Sequence, residues 1–205
     1  MNKPESPFQT PQQRQEEREA KRAAVLRTAV QMFNERGFHQ TSLDDVAARL
    51  GVSKPTIYHY LGNKDQVLLE CVTFGLNQLL EAAENARAVA GTGADRLASF
   101  LRRYAEVNMD DFGRCVIRTS EEALAPDSRR QFRAQKRKID DALRELIEES
   151  MADGSVAQGD ARLLGFALAG ALNWPARWHD PAGAQSPEAL ATQLVDWLAR
   201  GFLPR

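Results

Sequence analysis

Residues 44–60 read Asp44-Asp45-Val46-Ala47-Ala48-Arg49-Leu50-Gly51-Val52-Ser53-Lys54-Pro55-Thr56-Ile57-Tyr58-His59-Tyr60. They set two short helical segments around one glycine. On the first, Leu43, Val46, Ala47 and Leu50 share an inward face at helical spacing. Ala47 is small enough for two helices to cross closely, and Gly51, four residues on, can take a left-handed turn. Ile57, six residues later, plugs the second segment onto the first. Ser53 is placed to cap that second segment, and Pro55 falls in its first turn, where a missing N–H is harmless. The spacing is that of a helix-turn-helix, a rigid corner that presents its second helix to a DNA major groove. Ile57 and Leu61 point inward there, which leaves Lys54, Thr56, Tyr58, His59 and Tyr60 outside. Cations and hydroxyls suit phosphates, and short polar or methyl-bearing groups suit base edges. A solvated helical hairpin could use the same Ala/Gly/Ile skeleton, but it has no need of that exposed set.

Outward from this corner the periodicity stays helical, and no run alternates with period two. Upstream, Val25, Leu26, Ala29, Val30 and Phe33 form one stripe on a helix expected from about Arg14 to Arg36, stopped by Gly37. Thr41-Ser42 is placed to cap the helix that follows. Downstream, Lys64 opens a long helix expected to reach Val89. Further helices are expected at about Ala94–Asp111, Arg114–Ala125, Asp127–Ala152, Asp160–Trp178 and Pro187–Leu203. The expected breaks include 91–93, Phe112-Gly113, Pro126 and 179–187. The fold class is therefore all-α, a three-helix N-terminal unit followed by a larger bundle. Residues 1–13, polar and proline-bearing, are expected to form a disordered arm; residues 14–64 the DNA-binding unit; and residues 65–205 an effector-binding and dimerisation unit.

Residues 18–70 resemble the DNA-binding domain of the TetR family of transcriptional regulators. The likeness runs through AVQMFNERGFHQTSLDDVAARLGVSKPTIYHYLGNKDQVL, residues 29–68. The family pattern has Phe where this chain has Leu61, and often another residue in place of Gly62; both departures touch packing and loop shape. The resemblance implies that Ser42 meets a backbone phosphate and that Thr56 and Tyr58 contact phosphate or bases. It also implies that Lys54, Pro55 and His59 face the groove, Tyr60 the sugar-phosphate edge and Lys64 a phosphate. Arg14, Arg18 and Arg22, four apart, either add phosphate contacts or form a solvated face balanced by Glu16, Glu17 and Glu19.

One recognition helix reads few base pairs, so a homodimer on a palindromic double-stranded operator is expected. The segment ARLLGFALAGALNWPARW (161–178) is nearly apolar all round and must be buried all round. Gly165, Ala169, Gly170 and Leu172, with Leu194, Trp197 and Leu198, are the expected dimer interface; a central helix inside the monomer is the alternative. TetR-family proteins dimerise through their last helices, which agrees. Residues 173–202 further resemble members that control fatty-acid, steroid or acyl-CoA degradation, implying a small hydrophobic or acyl-CoA effector. Candidate pocket residues are Phe74, Leu101, Tyr104, Val107, Cys115, Ile117, Leu172, Asn173 and Trp174. The run Arg129 to Lys138 either receives CoA phosphates or is a solvated face.

The net charge of -1 hides an asymmetry: residues 1–64 hold 10 Lys/Arg against 7 Asp/Glu, the remainder 17 against 21. A polyanion would therefore meet the N-terminal part. The composition, 43% hydrophobic and 27% charged, is that of a soluble globular chain. No apolar run approaches the roughly 20 residues of a membrane span, so no membrane partner is expected. Cys71 and Cys115 stand far apart and read as buried thiols of a cytoplasmic protein. The three histidines lack metal-ligand spacing, and no GxSxG or phosphate-cradling loop occurs. Neither metal, cofactor nor catalysis is expected. The rivals are a TetR-type regulator of multidrug or aromatic-compound response, and a helical acyl-binding protein or hydrolase with an incidental helix-turn-helix.

Overall fold

The computed structural model describes residues 10–202, and their regular structure is helical throughout, with no strand among the described residues. The elements are α1 (Pro11–Arg36), α2 (Leu43–Leu50), α3 (Lys54–Leu61), α4 (Lys64–Arg87), α5 (Gly93–Met109) and α6 (Asp111–Arg118). A 3-10 turn at Glu121–Ala123 precedes α7 (Pro126–Ala152), α8 (Ala161–Asn173), α9 (Pro175–Trp178) and α10 (Pro187–Phe202).

The first helix starts sooner than its apolar stripe predicts. Thr10 accepts from the Gln13 N–H, the Gln13 side chain accepts from the Thr10 N–H at 2.8 Å, and Pro11 follows the cap. This reciprocal cap makes residues 11–13 helical rather than part of a disordered arm; residues 1–9 of the expected arm lie outside the described residues. The same device opens α2, through Ser42 and Asp45, and α4, through Asn63 and Gln66. Thr41 does not cap. Its buried hydroxyl donates inward to the carbonyls of Met32 and Gly37. Nor does Ser53, whose hydroxyl pairs with that of Thr56 at 2.8 Å.

Between α2 and α3, Gly51 sits at φ 66°, the left-handed region that a side chain disfavours. Ala47 and Ile57 are both buried at the crossing. Full burial of an isoleucine contributes about 1.5–3 kcal/mol, enough to fix α3 on its scaffold. The long α4 then runs into the bundle, where it lies against α5, α6 and α7. Val67, Leu68 and Cys71 on α4 join the apolar residues of α1–α3 to those of the bundle, such as Leu76, Phe100 and Leu146, in one continuous core.

Three helix boundaries differ from expectation. Asp110, not Phe112-Gly113, ends α5, because its carboxylate accepts from the Gly113 N–H and caps α6 instead. The sixth helix stops at Arg118, and residues up to Ala125 form the 3-10 turn and an extended link. Pro175 separates α9 from α8, which the periodicity had merged. At Gly75, α4 touches α6 directly: a Cβ there would lie 2.8 Å from the Phe112 carbonyl oxygen.

Candidate nucleic-acid interface and bundle cavity

The burial of Ile57 and Leu61 turns the opposite side of α3 outward. Lys54, Pro55, Tyr58 and His59 are exposed, and Thr56 and Tyr60 half-buried. Two of their hydrogen-bonding groups are engaged: the Thr56 hydroxyl pairs with that of Ser53, and the Lys54 ammonium pairs with Asp44 at 2.5 Å. Both members of that pair are exposed, so a phosphate can displace the carboxylate at little loss. Ser42, Tyr58, Asn63 and Lys64 converge on a surface hollow of about 390 Å³. The N-termini of α2 and α4 flank it, and helix N-termini favour phosphate through their N–H groups and partial positive charge. The Ser42 hydroxyl is held by Asp45 at 2.6 Å. The Lys64 ammonium stands 4.2 Å from the Phe38 ring centre and 3.5 Å from the His39 carbonyl, and burial lowers its pKa. Of the eight residues that the sequence singles out for DNA, Ser42, Tyr58 and Lys64 line this hollow; Lys54, Pro55, Thr56, His59 and Tyr60 lie on α3 outside it, with Tyr60 packed partly against the core. Arg22 pairs with Glu70 on α4 at 2.5 Å.

A cavity of about 540 Å³ lies among α4–α9. Leu76, Leu79, Val116, Ile139 and Phe166 supply apolar wall. One polar patch interrupts them. Asn173 Oδ1 accepts from the Tyr104 hydroxyl at 2.9 Å and from Asn108 Nδ2 at 2.9 Å, which leaves the Asn173 amide nitrogen without a partner among the described residues. Burial pushes the Tyr104 phenol up to about 12. Lys136, Asp140 and Arg177 also line the cavity, and partial burial raises the Asp140 carboxyl above its usual range. Lys136 and Asp140 continue into a neighbouring hollow of about 500 Å³ with Arg130, Arg133 and Arg137. The basic run is therefore divided. Arg129 donates to the carbonyls of Glu121, Glu122 and Leu124, whereas Arg133 and Lys136 share the Glu121 carboxylate and face the hollow.

Tyr104, Ile117, Asn173 and Trp174 line this cavity as the sequence suggests; the other candidates do not. Phe74 is 49% exposed on the outside of α4, its ring 4.4 Å from that of Phe112. Leu101, Val107 and Leu172 are sealed in the core. Cys115 borders a different hollow, of about 300 Å³, between α1 and α6, and burial pushes its thiol up to about 11.

The expected dimer residues also divide. Gly165 is buried facing Leu143 and Ile147 of α7 within the protomer, not on an open face. Leu172 points into the protomer, and Ala169 is a half-buried cavity wall. Gly170 is exposed, Leu194 and Leu198 are half-buried, and Trp197 is 70% exposed. Sequence reading missed Asn108, Asp140, Phe166 and Arg177, whereas Lys136 lies within the Arg129–Lys138 run weighed as a phosphate site. Phe166 stood in the quoted apolar run and was a legible candidate; the others act through contacts far apart in sequence.

Among the described residues no group of three or more His, Cys, Asp or Glu side chains is arranged to hold a metal, and no helix is long and apolar enough to cross a membrane.

Two family models match the chain: "Bacterial regulatory proteins, tetR family" over residues 25–71 and "Tetracyclin repressor-like, C-terminal domain" over residues 90–202. The HTH-type transcriptional activator FasR of Mycolicibacterium smegmatis is 24% identical over 152 residues, 74% of this chain and 68% of that protein. The TetR family transcriptional regulator PfmR of Thermus thermophilus superposes with a TM-score of 0.79 at 30% identity, over 88% of this chain and 99% of PfmR. AibR in complex with isovaleryl coenzyme A and operator DNA gives a TM-score of 0.75 at 23% identity, over 86% and 96%.

Proposed function

Because the chain belongs to the TetR family of bacterial regulatory proteins, we propose that it is a homodimeric repressor, released from a palindromic operator by a small hydrophobic or acyl-CoA effector. The unit that binds DNA would span residues 14–64, extended in the structure by the first turn of α1, and residues 65–205 would bind the effector and pair the protomers. Ser42, Lys54, Pro55, Thr56, Tyr58, His59, Tyr60 and Lys64 would make the DNA contacts.

The reading rests chiefly on one arrangement: α3, exposed on one side and braced by buried Ile57 on the other, shares a continuous core with a bundle holding a separate cavity. Two such helices about 34–36 Å apart would enter successive major grooves on one face of the duplex. An effector that binds better to a bundle with another spacing shifts the population away from DNA.

An acyl chain suits the apolar walls, the free Asn173 amide can donate to a thioester carbonyl, and Lys136, Arg133 and Arg137 can meet phosphates. AibR, of the same fold, is described with an acyl-CoA and operator DNA together. A multidrug or aromatic effector would use the same walls and leave those cations idle.

The test is binding to duplexes from around the chain's own gene, titrated with salt, then with acyl-CoAs, free fatty acids, sterols and aromatic acids. Neutralised phosphates predict a steep loss of affinity with salt. Release of a bound duplex by acyl-CoAs but not by the free acids supports the effector class. Absence of duplex binding at low salt, or thioester turnover without any DNA binding, refutes the reading.

A further inference from the structure

The hollow of about 300 Å³ lies where the end of α1 meets α6 and the link after it, and of the residues that line the bundle cavity it shares only Thr119. Phe33, Phe38, Leu68, Cys115 and Ala123 give it an apolar wall. The Phe33 and Phe38 rings meet edge to face with centres 5.3 Å apart, and Cys115 adds a polarisable sulfur beside them. The polar groups of the wall are already engaged within the protein. Arg118 holds Nε, Nη1 and Nη2 on three main-chain carbonyls, and the Asn34 amide donates to the Asp111 carbonyl. The Thr119 hydroxyl pairs with the Cys115 thiol, and Ser120 donates to Glu122. A charged ligand would leave water for a site with no free partner, which is costly, whereas an uncharged ring gives up little. The exposed His39 imidazole, at the rim, has no hydrogen bond among the described residues and can meet one hydroxyl or N–H.

Two residues of this wall also serve the hollow that Ser42, Tyr58, Asn63 and Lys64 form. The Lys64 ammonium lies over the Phe38 ring at 4.2 Å and donates to the His39 carbonyl at 3.5 Å. His39 lines both hollows, and its ring stands edge to face with that of Phe38, centres 5.4 Å apart. The Phe38–His39 pair is thus a partition, with an apolar space on one side and a cation on the other. A molecule that fits the apolar space as it stands favours the arrangement in which Phe38 carries Lys64.

We propose that the hollow between α1 and α6 is a second ligand site, for a small uncharged aromatic molecule, and that its occupancy holds Lys64 in place through Phe38 and His39. Its volume is at the small end of ligand cavities and suits one or two rings rather than a long chain. The site stands apart from the effector reading of the bundle cavity. Its consequence for DNA rests on the reading that Lys64 meets a phosphate: an occupant tightens the operator complex, the opposite of an effector that releases it.

Calorimetric titration of the full chain with 1-naphthol, and with 1-naphthoate as its charged counterpart, tests the site. Two variants locate it: Ala123→Phe fills this hollow, and Ala169→Phe fills the bundle cavity. Naphthol affinity should fall about tenfold or more in Ala123→Phe and hold in Ala169→Phe, and naphthoate should bind the parent about tenfold more weakly than naphthol. Any other pattern across the two variants, equal binding of naphthoate, or no binding of naphthol by the parent overturns the site. If Ala123→Phe does not fold, hydrogen exchange of the parent decides. Naphthol should protect amides within 33–39 and 115–120, and protection confined to 166–174 overturns the site. For the coupling, saturating naphthol should raise affinity for a bound duplex about fivefold in the parent and leave it unchanged in Phe38→Leu. Unchanged affinity in the parent overturns the coupling. A parent that binds no duplex with or without naphthol refutes the DNA reading, and the coupling with it, while the calorimetry still decides the site.

Discussion

Arg118 Nη1 on α6 donates to the main-chain oxygen of Asn34, near the end of α1, at 3.0 Å across 84 residues of sequence. From the same guanidinium, Nε and Nη2 donate to the carbonyls of Ala176 and Arg177 on α9, at 3.1 and 3.3 Å. One planar side chain therefore ties the helix that braces the recognition unit to the turn that lines the cavity. Asn34 returns the connection, its side-chain amide donating to the Asp111 carbonyl at 2.8 Å. Burial, then the nearby charges of Arg114 and Arg177, lower the Arg118 pKa.

Arg118→Lys keeps the charge and loses the fork that reaches three carbonyls. Because the side chain keeps an exposed flank, the loss of stability should be about 1 kcal/mol or less. The informative readout is hydrogen exchange. Amides just after Asn34 and those of residues 176–179 should lose protection together; loss on one side alone would show that Arg118 does not couple them.

Gly75→Ala acts on the contact between α4 and α6. Its Cβ would stand 2.8 Å from the Phe112 carbonyl oxygen and 2.9 Å from Val116 Cγ2, and a backbone oxygen cannot rotate away. Overpacking of this kind destabilises by about 1–3 kcal/mol, visible as a lower Tm. Operator affinity should fall too, because α6 also anchors α1 through Asp111. An unchanged Tm would mean that α6 moves off α4 freely.

The fold was legible wherever one rule acted locally. The 3.6-residue stripe of α1, the Ala47–Gly51–Ile57 spacing and the glycine turn each needed only neighbouring residues, and each reappears in the packing. What escaped depends on which helix lies alongside. Phe74 reads as core by period, yet it lies on the exposed side of α4, where its ring meets Phe112. Gly165 and Gly170 look equivalent in the sequence, but α7 covers the first and nothing in the protomer covers the second. Asn173 stood out as an amide in an apolar helix; its partners, 69 and 65 residues away, did not. Arg118 gave no signal because main-chain carbonyls, which have no sequence signature, receive it.

Tyr58 and Ile57 are adjacent in sequence and should respond oppositely. Ile57→Ala opens a cavity in a fully buried site and should cost about 2–5 kcal/mol. Tyr58→Ala removes an exposed ring, so Tm should hold while operator affinity falls about tenfold or more, if the phenol contacts base or phosphate. Anisotropy titrations on folded Tyr58→Ala protein check this; unaltered affinity would remove Tyr58 from the interface.

Asn173→Leu deprives two buried donors, the Tyr104 hydroxyl and Asn108 Nδ2, of their shared acceptor. A buried donor left unpaired costs about 1–3 kcal/mol, so chemical denaturation should show a clear loss. The companion Tyr104→Phe on the Asn173→Leu background should recover part of it, because one stranded hydroxyl disappears. No recovery would mean that Tyr104 finds another acceptor.

Gly170→Trp separates the protomer from its assembly. An added Cβ at Gly170 meets no atom within 4 Å, and the residue is exposed, so a side chain can leave the helix there toward solvent in a lone protomer. Replacing a helical glycine also removes a propensity penalty of up to about 1 kcal/mol. Helicity should therefore be unchanged and monomer stability no lower, while a two-fold face built around Gly170 can no longer close. Sedimentation should show the dimer mass halved, and affinity for a palindromic duplex should drop towards that of a single half-site. A variant that sediments as a dimer would place the partner on some other face, and the exposed residues of α8 would then need a different explanation.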